Sequence, residues 1–150
     1  MPLKLVAPII KEFTLDRADE KYGTDGTPST VTIRQATQRQ NELRQDLFAE
    51  YTQIMNFSKP QDEMEYKSSW NFMKLMRKEV YLTLVGSNLV DVDGKDLFKF
   101  KTEKSGSVLN MTESEFARAW GSLTDDICRE IHEKVLEVNV TWQNPTVERS

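Results

Sequence analysis

The apolar pattern changes period once near the start of the chain. Val31-Thr32-Ile33-Arg34 alternates with the two-residue repeat of a strand. From Leu43 onward the apolar residues fall at helical spacing: Leu43, Leu47, Phe48, Tyr51, Ile54 and Met55. A strand-to-helix junction is therefore expected at Ala36-Thr37. Upstream, Ile9-Ile10 and Phe13-Thr14-Leu15 form another extended run, and the intervening Tyr22-Gly23-Thr24-Asp25-Gly26-Thr27-Pro28 is dense in turn formers. These segments predict a β-hairpin with a long loop over residues 8–34.

The first long helix starts near Thr37. Thr37 and Gln40 have capping-box spacing, in which each side chain satisfies a backbone N–H that the first helical turn leaves unpaired. The helix is expected to end near Phe57. Ser58-Lys59-Pro60-Gln61 then opens a second helix, predicted to run to Gly86 with that glycine as its stop. Tyr66, Trp70, Met73, Val80 and Leu84 share one face of it, Met64, Phe72, Leu75 and Leu82 lie roughly opposite, and Lys67, Lys74 and Lys78 sit between. A helix apolar on two sides is either sandwiched in the core or keeps one face for a partner.

Asp91-Val92-Asp93-Gly94-Lys95-Asp96 reads as a turn, Leu97-Phe98-Lys99-Phe100 as a short strand, and Lys104-Ser105-Gly106-Ser107 as loop. Thr112 and Glu115 form a second capping box, with Met111 and Phe116 at the positions of a hydrophobic staple. Phe116, Trp120, Leu123, Ile127, Ile131 and Val138 then mark one continuous stripe to about Asn139, with a loose tail from Trp142. The expected fold is α+β and predominantly α-helical: an N-terminal β-hairpin, then three main helices, with a short strand and turn before the last. It is a single domain over 1–150, with a β-rich segment to residue 35, a helical body over 36–140 and the tail over 141–150.

Composition narrows the function. The chain has 150 residues, enough for one core, and its proportion of hydrophobic residues, 38%, supports folding. A net charge of −4 argues against a nucleic-acid footprint. Residues 101–150 carry nine acids against six bases, which would suit a basic partner segment or simply a solvated helix face. Cys128 is the only cysteine, so there is no internal disulfide and a reducing compartment is expected. The opening MPLKLVAPIIKEF has too short an apolar run for a signal peptide, and Val80–Val90 is interrupted by Gly86-Ser87-Asn88 and cannot span a bilayer. The expectation is a soluble protein that stays where it is made.

Candidate chemistry is sparse. Asp91-x-Asp93-Gly94 resembles the start of a calcium loop, but the glycine stands at the fourth position and Thr102 at the twelfth, where the loop requires Gly at the sixth and Glu at the twelfth. Cys128 and His132 are one helical turn apart, yet no second His or Cys exists to complete a zinc site, and a partly buried thiol with a flanking imidazole is the simpler reading. No glycine-rich phosphate loop and no serine nucleophile elbow is present. No catalytic residue, metal or cofactor is assigned. Two stretches remain as partner-binding candidates. Tyr66, Trp70, Phe72, Met73 and Met76 concentrate aromatic and methionine side chains on one helix, where polarizable, unbranched groups adapt to a partner's shape. Asp126, Glu130 and Glu133, with Glu137, line an edge that could be solvated or could recognise basic residues.

The order of these features resembles a known family. VTIRQAT closing a strand pair, the helix NELRQDLFAE, the helix MKLMRKEVYLTLV, the turn DVDGKDLF and the capped helix TESEFARAW running to EKVLEVN are similar to the small tail assembly chaperones of long-tailed bacteriophages, over about residues 10–140. The resemblance implies a non-enzymatic, largely helical protein of the host bacterial cytoplasm. It would bind the phage tape-measure or tail-tube protein before the tail polymerises and would be absent from the finished virion. With the charge and hydropathy above, no nucleic-acid or membrane partner is expected, and self-association is compatible with the reading. A structural virion component, such as a head–tail connector or tail-completion subunit, is the alternative. A small enzyme and an inhibitor of a host protein are more distant readings.

Overall fold

The computed structural model describes residues 8–55 and 61–143, with side chains described for 8–47 and 72–143. Among these residues five α-helices accompany two small antiparallel sheets, an α+β arrangement. The first sheet has the order β1-β2-β3, formed by Ile10–Thr14, Thr30–Arg34 and Leu84–Ser87. β1 and β2 pair from Ile10 opposite Arg34 to Thr14 opposite Thr30, as the alternating pattern predicts. Phe13, Val31 and Ile33 turn inward and are buried. The connection between the two strands is more than a loop. It contains a short helix, α1 (Asp16–Tyr22), whose Ala18 is buried.

The junction after β2 falls where the period changes. The Thr37 backbone N–H donates to Gln40 Oε1 at 2.8 Å, and the Gln40 N–H donates to Thr37 Oγ1 at 3.2 Å, so the expected capping box opens α2 (Gln38–Met55). Asn139, far along the chain, fixes this corner: its Oδ1 accepts the Ala36 N–H at 2.7 Å and its Nδ2 donates to the Val135 carbonyl at 3.2 Å.

α3 (Gln61–Thr83) ends before Gly86 and passes directly into β3. The sequence Val80-Tyr81-Leu82-Thr83-Leu84-Val85 is rich in β-branched and aromatic residues, and β2 offers a sheet edge that a further helical turn would leave unpaired. Val31 pairs with Ser87, Thr32 with Gly86 and Ile33 with Leu84, so Val85 is the extra residue of a β-bulge. Gly86 therefore serves strand approach rather than helix termination. A Cβ there would meet Thr32 Cβ and Oγ1 at 3.1 Å.

The second sheet pairs β4 (Phe100–Glu103) with β5 (Gly106–Leu109). Gly106, at φ +114°, supplies the left-handed turn conformation at a point where the sequence reads only as loop. Ser107 Oγ donates to the Val85 carbonyl at 2.9 Å and ties this hairpin to β3. The single final helix expected from the apolar stripe is two helices, α4 (Glu113–Gly121) and α5 (Asp125–Val138), with the Thr112–Glu115 capping box starting α4. The stripe keeps its spacing across the break, so periodicity does not see it. Gly121-Ser122 before the break and Thr124 as the next N-cap are the local signals. A short 3-10 turn, Val140–Trp142, follows, and Trp142 is buried rather than part of a loose tail.

One apolar cluster joins these elements. It runs from Phe13, Leu15, Val31 and Ile33 through Met76, Val80 and Leu84 to Phe116, Ile131 and Val135. The Phe116 ring is central, with the rings of Tyr81, Phe98 and Trp120 centred 5.3, 5.5 and 5.9 Å away. No helix of the described residues is long and apolar enough to cross a membrane.

Candidate interaction surface

The acidic edge of α5 faces α1. Leu15 at the start of α1 provides no side-chain cap, so the first amides of that helix depend on another partner. Glu130 supplies it: Oε2 accepts the Arg17 N–H at 3.1 Å and Oε1 accepts the Ala18 N–H at 2.9 Å. Its carboxylate also complements the positive end of the α1 dipole. Glu130 is consequently buried. Asp126 accepts from Lys21 Nζ at 2.7 Å, from the Tyr22 hydroxyl at 2.9 Å and from Thr124 Oγ1 at 2.6 Å. The Lys21 hydrogen bond, followed by that from Thr124, holds the Asp126 carboxyl well below the usual carboxylate range. Arg17 pairs with Glu133. Asp126, Glu130 and Glu133 are thus brought together as the sequence suggests, but they clasp the protein's own α1. The edge is not free for basic partner residues: α1, which falls within the long hairpin loop that the sequence predicts, occupies it.

The aromatic and methionine candidates on α3 divide. The Tyr66 and Trp70 side chains lie outside the described residues. Phe72 and Met73 are 48% and 53% exposed. Met76 is 3% exposed and belongs to the core cluster, so it is not an exposed anchor. The two-sided pattern has a similar outcome along the helix. Val80 on one face and Leu75 and Leu82 on the other are buried, so the last turns of α3 are covered on both sides, and Leu84, buried too, already belongs to β3. The exposed apolar surface begins at Met73 and Phe72, one turn earlier.

Beside Met73 lies an open groove of about 350 Å³ between α3, α4 and α5. Met73, Met76, Ala117, Trp120, Leu123 and Cys128 give it an apolar lining, with Lys74 and Arg77 on the α3 side and Asp125 on the α5 side. Asp125 is already paired with Arg129 at 2.6 Å. Burial, with Asp125 and Asp126 nearby, pushes the Cys128 thiol up to about 12, so this cysteine acts as an apolar wall and not as a nucleophile. A second groove of about 300 Å³ lies across Lys74 and Arg77, between α2, α3 and the start of α4. It is lined by charge, and there Lys78 Nζ bonds Glu113 at 2.9 Å.

Beneath this surface is a polar cluster that the sequence reading passes over. Arg44 of α2, Glu79 of α3 and His132 of α5 are all buried. Glu79 Oε2 accepts from Arg44 Nε at 2.5 Å, and Glu79 Oε1 lies 2.6 Å from His132 Nε2. The Arg44 guanidinium stacks 4.9 Å from the Trp142 ring, whose Nε1 donates to Asn41 Oδ1 at 2.8 Å. His132 is therefore the partner of Glu79 and not of Cys128, and it is more deeply buried than a flanking imidazole would be. The signal was available. Glu79 sits among Met76, Val80 and Thr83 at helical spacing, all three of them buried, and a carboxylate inside an apolar stripe requires a cation. The other face of His132 meets the exposed Phe72 edge-on, with ring centroids 6.4 Å apart and planes at 88°. Phe72 is thereby held in place although half its surface meets water.

Asp91, the calcium-loop candidate, spends its Oδ1 on the N–H groups of Asp93 and Lys95 at 2.8 and 3.0 Å, an Asx turn closed by Gly94 at φ +81°. No group of three or more His, Cys, Asp or Glu side chains suited to a metal ion occurs among the described residues. The chain matches no protein-family model, and neither a curated protein nor a solved structure shows significant similarity to it.

Proposed function

We propose that this protein is a non-enzymatic assembly chaperone that holds a phage tape-measure or tail-tube protein in the host cytoplasm before tail polymerisation. The reading starts from the family resemblance of the sequence. The observation that carries it structurally is Met73, half-exposed and lining an apolar groove, with the half-exposed Phe72 beside it in the chain. Exposed apolar patches beside a groove are a common feature of protein-binding surfaces, and a methionine-rich wall accommodates more than one side-chain shape. A holding chaperone must also release its client to the growing tube. A shallow groove with a few anchors suits the moderate affinity this needs better than a large buried interface does.

The test is co-expression with the tape-measure and tail-tube reading frames, followed by affinity purification. Capture of either protein is expected from the parent chain, with strong loss from Phe72→Ala/Met73→Ala at unchanged melting temperature. Failure to capture either protein rejects the reading. Abundant recovery of the chain from purified mature virions would instead favour a permanent structural component, such as a connector or tail-completion subunit.

A further inference from the structure

We infer that the groove between α3, α4 and α5 receives an amphipathic helix of the partner, with a carboxylate in its apolar stripe that pairs with Arg77. The inference deepens the proposed binding role and rests on it for the existence of a partner.

Two features define the occupant. The first is the origin of the walls. Among the described residues, the lining comes from three helices and the link between α4 and α5, and no described sheet edge borders the groove. A strand entering it would find no ladder of backbone donors and acceptors, and its own amides would be left unpaired against Trp120, Leu123 and Met76. A helix satisfies its backbone internally and presents side chains at one-turn spacing. The groove volume of about 350 Å³ accommodates a few such anchors, not a whole helix, whose body would rest outside it against the exposed Met73.

The second feature is charge. Asp125 is neutralised by Arg129, and Lys78 by Glu113. Arg77 lies on the ridge shared by both grooves and makes no ion pair or hydrogen bond with any described residue. Among the described lining residues the uncompensated charge is therefore the positive one of Arg77, within a chain of net charge −4. A matching helix carries one or two carboxylates near its centre. A strongly acidic one would be repelled by the rest of the surface.

The experiment is selection from a displayed library of randomised peptides of about 18 residues, roughly five helical turns, on the immobilised full-length protein. Enriched peptides should show apolar residues at helical spacing with an Asp or Glu among them. Binding of the resynthesised peptides should fall about tenfold with Arg77→Glu and recover when the peptide carboxylate becomes Lys, a charge-swap pattern. Ala117→Trp should fill the groove and abolish binding. Circular dichroism of each variant confirms that it folds, and Ala117→Leu replaces the tryptophan variant if that one does not. Enrichment of extended or basic peptides, no enrichment at all, or indifference to Arg77→Glu would each overturn the inference. So would concentration-dependent dimers of the parent chain that Ala117→Trp dissolves, because the groove would then belong to a second copy. These peptides are independent of tail proteins. The groove can therefore fail while client capture succeeds, and the chaperone reading can fail while helix binding holds.

Discussion

The carboxylate of Glu79 lies 2.6 Å from the imidazole Nε2 of His132, joining helices whose contacting residues are 53 positions apart. Its second oxygen holds Arg44 at 2.5 Å, so one side chain of α3 connects α2 to α5 inside the protein. Charges taken out of water are retained only when their partners are present, and removal of one leaves the others buried without compensation.

Glu79→Ala should therefore destabilise the fold by about 3–5 kcal/mol, well beyond the loss of its methylene contacts. Arg44→Met should cost a comparable amount, since it strands the carboxylate and gives up the Trp142 stacking. The double variant Arg44→Met/Glu79→Leu should cost clearly less than the sum of the singles, because neither change then leaves an opposite charge unmatched. Urea unfolding of all three closes the cycle. Additive losses would mean that the pair contributes packing and little else.

The clasp between α1 and α5 should be local in its effects. Glu130→Ala removes the only side-chain acceptor among the described residues for the first amides of α1 and should cost about 1–2 kcal/mol, the range for loss of a helix cap. Hydrogen exchange should quicken at Ala18 first, while amides of Ile131 and Val135 keep their protection. Glu130→Gln, which retains one acceptor oxygen, should lose less. Client capture should survive Asp126→Asn and Glu133→Gln. If it is lost without a change in stability, the acidic edge recognises the partner after all.

The contrast between these two sites and the rest of the fold shows which relations a sequence makes visible. Both capping boxes were legible because each couples residues three positions apart, Thr37 with Gln40 and Thr112 with Glu115. The β1–β2 pairing was legible from alternation. α1 was not, because its cap, Glu130, is more than a hundred residues away. The end of α3 was misplaced because Gly86 has two possible meanings in sequence, a helix stop or a close strand approach, and only Thr32 decides between them. Among the site residues, Phe72 and Met73 lie on opposite apolar faces in sequence and are exposed together, while Met76 three residues on is core. Side-chain type gave no basis for that division. It follows from where α4 and α5 stop covering α3.

Acid should weaken the surface network. Asp126 is held below the usual range by Lys21 and Thr124, and Glu115 by its backbone and side-chain bonds with Thr112. A carboxylate whose folded pKa is depressed contributes stability above its unfolded pKa, about 3.9 for Asp and 4.3 for Glu, and loses it as pH falls through the folded value. The urea midpoint should thus decline on acidification below about pH 4–5. Asp126→Asn and Thr112→Ala should each flatten that decline. Both carboxylates are solvent-facing, so the effect should be modest and reduced by salt. A decline unchanged in both variants would place the acid sensitivity in other carboxylates.

Cys128 offers a direct report on the groove itself. Its thiol is buried, lies 3.8 Å from the Trp120 carbonyl and is pushed up to about 12, so at pH 8 almost none is thiolate, whereas an unfolded cysteine with a pKa of about 8.5 reacts readily. A thiol-labelling reagent should therefore modify the native protein orders of magnitude more slowly than the denatured chain. If α4 and α5 separate only on global unfolding, labelling should accelerate with denaturant in parallel with loss of helical circular dichroism. Labelling that is nearly independent of denaturant below the transition would reveal a local opening of the groove, cheaper than unfolding. A groove-bound peptide should then suppress that labelling. The same peptide bound elsewhere, with no effect on the groove, would leave it unchanged.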